Sequence, residues 1–351
     1  DASSNNVSQP TASSQPNVPE TSSASNQKNT EPTQDIVKNS RVGFNKNIEV
    51  TTDTLKVNIS LDDGAIISSE LLKYLKQFGS SNEKVKLLNN TKGSRYTALA
   101  NVQSQELDAP VEYTSVKTKY FLGDNNKLKV SIQGTVSGLT EVIKSYTFTR
   151  NSHLIEVQQL VKNTSNKKIE WRQYNTLSRG EETEGNVMLY TYTGAAYFDS
   201  EDKFNKIDFS DIEDESFQKE VKTSWISMIQ HYFFTAWLPS DKGSDKKTIY
   251  TRLLSEDNKN SYQIGSVDNY IALSPGESYS FDSKLYIGPK VQAEITDLAP
   301  GLALTVDYGV LTFLAAPLFW VLEKIHLIFG NWGWSIIMLT VLIKVVFFKL
   351  S

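Results

Sequence analysis

Lys344 lies inside the apolar run 336–348 (IIMLTVLIKVVFF), which is otherwise interrupted only by Thr340. A lysine near the centre of a membrane-spanning helix costs about 2.5–3.5 kcal/mol on insertion scales, so such residues face protein or water and are functional candidates. Thr340 stands four residues earlier, which puts both side chains on one helix face. The chemistry open to this pair is non-covalent: one polar stripe on an apolar helix makes a wet groove within a membrane. Two plainer readings stand beside it, a soluble amphipathic helix or a lysine that snorkels to the interface. Lys349, closer to the end of the run, can snorkel in any case.

Covalent chemistry finds little to work with. The sequence has no cysteine, which removes thiolate nucleophiles, thiolate metal sites and disulfides. Its three histidines are His153, His231 and His326. His153 follows the turn residues RNS, and an exposed position is expected. His231 sits among apolar residues in WISMIQHYFFTAWLP, where a hydrogen-bonded core or edge histidine is expected. No HxxxH or HExxH spacing, nucleophile elbow, P-loop or GxGxxG occurs. The acidic group DIEDE at 211–215 has no partner in sequence and reads as a solvated loop. The sequence thus gives no case for an enzyme or a cofactor. With 36 lysines and arginines against 40 acidic residues, the net charge of −4 gives no case for nucleic acid either.

The elements that must position Lys344 fall into four segments. Residues 1–40 are almost wholly Ser, Asn, Gln, Thr, Pro and Ala, too polar to offset the entropy of ordering, and are expected to form a flexible tether. The chain starts at Asp1 without methionine, so removal of an N-terminal segment is expected. From 41 to 300 the pattern has period two. Leu55, Val57, Ile59 and Leu61 alternate with polar residues, as do Leu128, Val130 and Ile132, and then Tyr279, Phe281, Leu285 and Ile287. Polar turns at 123–127, 163–168 and 274–278 separate such runs, which predicts a mainly β, antiparallel sandwich. Val291, Ile295 and Leu298 recur at helical spacing, so a short helix over 291–299 closes the domain. Residues 301–330 form an amphipathic helix. Leu311, Leu314, Leu318, Val321, Leu322, Ile325 and Phe329 spread over a wide apolar surface. Thr312, Glu323 and His326 make a thin polar line, so the helix either packs into a core or lies in a membrane interface with Trp320 and Lys324 near the headgroups. Pro317 kinks this helix or marks its start. After the glycine break at GNWG, Trp332 and Trp334 are types favoured at the membrane–water boundary. Residues 331–351 then begin a transmembrane helix that stops short of the ~20 residues a span needs.

Several stretches resemble the YidC–Oxa–Alb family of membrane-protein insertases in its Gram-negative, YidC form. They are TVDYG at 305–309, APLFWVLEKIH at 316–326 and GNWGWSI at 330–336. Upstream, YTGAAY at 192–197, WISMIQHYFFTAWLP at 225–239 and LYIGP at 285–289 are similar too. The resemblance runs from about Phe44 to the end and is densest after Tyr192. It implies a periplasmic β-supersandwich of mutarotase-like fold with a short helical C-terminal part. Next would come an amphipathic helix on the membrane surface and a transmembrane helix truncated here. It implies a non-enzymatic insertase and chaperone of the bacterial inner membrane, multi-pass, with the large domain in the periplasm. Its partners would be nascent inner-membrane proteins, lipid and the Sec translocon, with no cofactor. Lys344 falls where the family carries a positive residue, often arginine, in a hydrophilic groove, and Thr340 would line that groove. Lysine keeps the charge but lacks the planar fork of a guanidinium. The alternative is a membrane-tethered periplasmic carbohydrate-binding or scaffold domain.

Overall fold

The computed structural model describes residues 46–76, 82–91, 94–107, 109–180, 192–222, 224–240, 246–256, 259–306 and 312–348, with side chains of the last segment from Pro317 onward. The expected tether at 1–40, Leu311 and Lys349 lie outside these residues. The chain divides into two compact units, 1–289 and 290–351.

The first unit is a pair of β-sheets. One runs in the order β14 (Gln218–Lys222), β17 (Lys246–Glu256), β18 (Lys259–Asp268), β11 (Ile169–Gly180), β5 (Tyr96–Ser104). It continues through β3 (Ile66–Leu75), β2 (Leu55–Ser60) and β1 (Asn47–Thr51) to β7 (Lys119–Phe121), with β19 (Ile271–Leu273) beside β11 and β4 (Lys84–Leu88) beside β3. The other runs β13 (Lys203–Ile207), β12 (Gly194–Asp199), β15 (Trp225–Ile229), β16 (Phe233–Leu238), β20 (Ser278–Pro289). It ends through β10 (Leu154–Asn163), β9 (Thr140–Thr149) and β8 (Lys127–Val136) at β6 (Glu112–Thr114). Every pairing among these strands is antiparallel except that of β1 with β7. The expected mainly β, antiparallel class is the observed one.

Alternation explains why these segments are strands. On β10, Ile155, Val157, Gln159 and Val161 are buried while Glu156, Gln158, Leu160 and Lys162 are exposed. One face can therefore join the core while the other meets water, as antiparallel sheets allow. Leu55, Val57, Ile59, Val130, Ile132, Phe281, Leu285 and Ile287 are buried as the pattern requires, Leu61 and Leu128 are half-buried, and Tyr279, at the start of β20, is exposed against it. Polar links also cross between the sheets. Trp237 Nε1 donates to the Thr176 carbonyl at 3.0 Å, and the Tyr96 hydroxyl to the Met228 carbonyl at 3.2 Å.

Three local expectations change. His153 is buried, 5% exposed, with its ring 6.1 Å from that of Tyr74 and 6.2 Å from that of Tyr286. It shares the inward phase of Ile155 and Val157, so strand alternation outweighs the turn before it. The acidic stretch is a short helix, α1 (Phe209–Asp214), started by a capping box between Asp208 and Asp211. The expected helix over 291–299 shrinks to α2 (Gln292–Ile295). Its N-cap is Val291, which has no side-chain acceptor to offer the free N–H groups.

In the second unit, α2 and a 3-10 turn at Leu302–Thr305 precede two helices, α3 (Thr312–Phe329) and α4 (Trp332–Val346). Pro317 lies inside α3 and does not mark its start. No helix among the described residues is long and apolar enough to cross a membrane.

Candidate functional site

Asn331 starts α4. It is extended (φ −138°, ψ 120°), and its Oδ1 accepts from the N–H groups of Gly333 at 2.8 Å and Trp334 at 3.3 Å. These bonds satisfy two of the four donors that a helix start leaves free. Ser335, fully buried, donates from Oγ to the Asn331 carbonyl at 2.8 Å and tightens the same turn. The helix so begun carries Thr340 and Lys344, both exposed. The Thr340 hydroxyl donates to the Ile336 carbonyl at 2.8 Å, so its donor is used within the helix and its lone pairs face outward. Lys344 can only donate. One face of α4 thus offers an acceptor and, one turn on, a cation.

The rest of α4 is apolar and open: Ile336, Ile337, Met338, Val341, Leu342, Val345 and Val346 are all exposed. α3 exposes Phe319, Leu327, Ile328 and Phe329. Isolated exposed apolar residues are ordinary, but a contiguous set of this size marks a surface meant for lipid or protein. Of the expected interface residues, Trp320 is 60% exposed with the Lys324 ammonium 5.7 Å from its ring centre, a cation–π arrangement that keeps the charge beside the indole. Trp334 is 61% exposed. Trp332 differs. One face of its indole is stacked on the His326 imidazole, with centroids 3.9 Å apart and planes 7° from parallel.

Sequence reasoning missed a second lysine. Lys144, on β9, is fully buried between the sheets of the first unit. Its ammonium donates to the carbonyls of Asp63 at 3.3 Å, Gly64 at 3.0 Å and Ala100, and lies 5.5 Å and 5.8 Å from the rings of Tyr113 and Tyr146. Burial pushes it down to about 7, against a smaller upward pull from the Asp63 carboxylate. Burial acts on its tyrosine neighbours in the opposite sense. Tyr113 and Tyr146 are driven far above the usual phenol range, and Tyr174 is pushed up to about 12. The signal for Lys144 was its phase: Val142, Lys144, Tyr146 and Phe148 alternate on one face of β9, and all four are buried.

The histidines do not converge. His231 is half-buried in the bend between β15 and β16, with Nδ1 lacking a hydrogen-bond partner. Since β15 and β16 are interior strands, it is neither a core nor an edge-strand histidine, and the expected bond is not made at that nitrogen. Among the described residues no group of three His, Asp or Glu side chains could hold a metal ion.

The sequence model of the family described as YidC periplasmic domain matches residues 47–321. A protein named membrane protein insertase YidC from Thioalkalivibrio sulfidiphilus is 36% identical over 318 residues, covering 87% of this chain and 56% of that protein. Its namesakes from Legionella pneumophila (strain Paris) and Dechloromonas aromatica are 37% and 38% identical, covering 87% and 86% of this chain and 55% of each relative. The chain spans about half the length of these relatives. Among solved structures, a galactose mutarotase related enzyme from Lactobacillus acidophilus aligns at 11% identity and a TM-score of 0.45, covering 69% of this chain and 97% of that one. The GH36 alpha-galactosidase AgaA of Geobacillus stearothermophilus aligns at 9% identity and a TM-score of 0.44, over 74% of this chain and 42% of that one. Likenesses of that size carry no argument for sugar chemistry.

Proposed function

The chain belongs to the YidC periplasmic domain family, and from that premise we propose that it serves membrane-protein insertion at the bacterial inner membrane. The match over 47–321 and the insertase names of the relatives support this reading. The observation that carries it to particular residues is the open apolar surface of α3 and α4, interrupted on α4 by Thr340 and Lys344.

In this reading the β-sandwich lies in the periplasm, and α3 rests in the membrane interface with Trp320 and Lys324 at headgroup level. Trp332 and Trp334 mark the periplasmic boundary of α4. At 1.5 Å per residue, Thr340 then lies about 12 Å and Lys344 about 18 Å from Trp332 along the helix, inside a hydrocarbon layer about 30 Å thick. In lipid alone Lys344 would cost about 2.5–3.5 kcal/mol, a penalty relieved against protein or water, as in a groove completed by further helices. A polar or acidic stretch of a nascent membrane protein entering that groove exchanges water for the Lys344 ammonium and the Thr340 oxygen. Its desolvation penalty falls while its apolar segment passes into lipid. No covalent step is required. The protein acts in this way alone or beside the Sec translocon.

The test is replacement in the complete protein. Lys344→Glu reverses the charge and should lower insertion of dependent membrane proteins in depleted cells, while Lys344→Arg, which keeps the charge, should support it. Full complementation by Lys344→Glu would remove the groove role.

A further inference from the structure

The connection between α3 and α4 consists of only two residues, Gly330 and Asn331. Gly330 takes the left-handed conformation (φ 61°), and its N–H donates to the His326 carbonyl at 2.8 Å, which closes the end of α3. Asn331 caps the start of α4 as described above. These bonds fix where each helix stops and starts. They do not fix the angle between the helices, because each lies on one side of the joint. Glycine is the most permissive residue at such a joint.

One contact described above does span it. His326 belongs to the last turn of α3, Trp332 is the first residue of α4, and their rings are stacked face to face. At 3.9 Å the separation is shorter than the usual 4.5–7 Å of aromatic pairs, so the planes are in direct contact. The imidazole serves here as a flat surface. Its Nδ1 is buried and makes no hydrogen bond, a cost that a merely polar helix residue would avoid by turning to water. Trp332 keeps 48% of its surface exposed, so its other face stays free for the interface.

We propose that His326 and Trp332 are positioning residues: their stack clasps α3 to α4 across Gly330 and so fixes the direction in which Thr340 and Lys344 face. This rests on the reading of that face as the path of an incoming membrane protein. The clasp itself is a statement about the helix corner and can be measured apart from that reading.

The experiment uses the complete protein in lipid nanodiscs, cleared of any cysteines outside this segment, which has none. Spin labels are placed at Glu323→Cys on α3 and Val341→Cys on α4. The distance distribution between them should be narrow, should broaden with His326→Ala, and should narrow again with His326→Phe, which restores a flat ring without the imidazole nitrogens. Trp332→Leu and Trp332→Phe give the same contrast from the other side and serve if His326→Ala does not accumulate. In parallel, a photoreactive residue is placed at 340 or at 342, about 200° around the helix. During synthesis of a small membrane protein, His326→Ala should lower crosslinking from 340 by about two- to tenfold, the range that loss of one aromatic stack produces, and raise it from 342. A protein that was only less stable would lose both. An unchanged distance distribution in His326→Ala and Trp332→Leu overturns the clasp. A clasp that behaves as stated, in a protein that never crosslinks from 340, leaves the corner standing and overturns the groove.

Discussion

Lys144 has no accessible surface inside the β-sandwich, whereas Lys344 stands open on α4, and each breaks the pattern of its surroundings. The sandwich closes its apolar surface between two sheets and surrounds its odd lysine internally, with three backbone carbonyls and two aromatic rings. The helical unit leaves its apolar surface open and gives its odd cation no such cage. A fold that completes itself in water hides a lysine only where it can surround it. On the function proposed above, a fold that needs lipid and further helices leaves the charge where they will meet it, so that stability lies in the first unit and the encounter with other chains in the second.

The widest separation between the two should come from the same kind of change made in each. Ile155→Asp puts an unpaired carboxylate in the core, and the sandwich should lose about 3–5 kcal/mol, the cost of an uncompensated buried charge. Val345→Asp should leave the sandwich's urea midpoint unchanged, since that side chain is already open. In the complete protein it should impair membrane integration. Equal shifts in the urea midpoint would break the comparison. A smaller loss is expected from Gly64→Ala. Gly64 has φ 71°, and an added Cβ would lie 2.6 Å from Lys144 Nζ, so left-handed strain and overpacking act together. About 2–4 kcal/mol of destabilisation follows, read by the same urea titration.

The smallest effect separates the lysines by pH. Burial lowers Lys144 from 10.5 to about 7 in the folded protein. Between those values the unfolded chain holds the proton and the folded chain does not. Stability therefore rises with pH across that window and is level in this respect below it, with a slope of up to ~1.4 kcal/mol per pH unit. In Lys144→Met that component should vanish from urea titrations taken at pH 7, 8 and 9. A variant profile parallel to that of the parent would mean that the caged lysine keeps its proton.

Much of the first unit could be read from phase. The alternation at 55–61, 128–132 and 281–287 is visible because each inner side chain faces apolar neighbours at a spacing of two. The same rule, applied strictly, would have placed Lys144 and His153 inside. The turn residues RNS suggested exposure for His153, whereas the phase of the strand that follows decides where its side chain points. The candidate pair on α4 stands out for a different reason: a cation in an apolar run needs no tertiary information to be noticed. The His326–Trp332 stack was not legible. The two residues are six apart across a glycine joint, a spacing at which neither a helix nor a strand brings side chains into contact, and only the corner's geometry brings the rings together.

The measurement that bears most directly on the account is site-specific photocrosslinking from position 340 in the complete protein while a small membrane protein is being made. A strong crosslink that depends on the nascent chain, weaker from the opposite face of α4, is the predicted result. A folded, membrane-integrated protein that gives no crosslink from 340 would contradict it and leave Lys344 with a structural role alone.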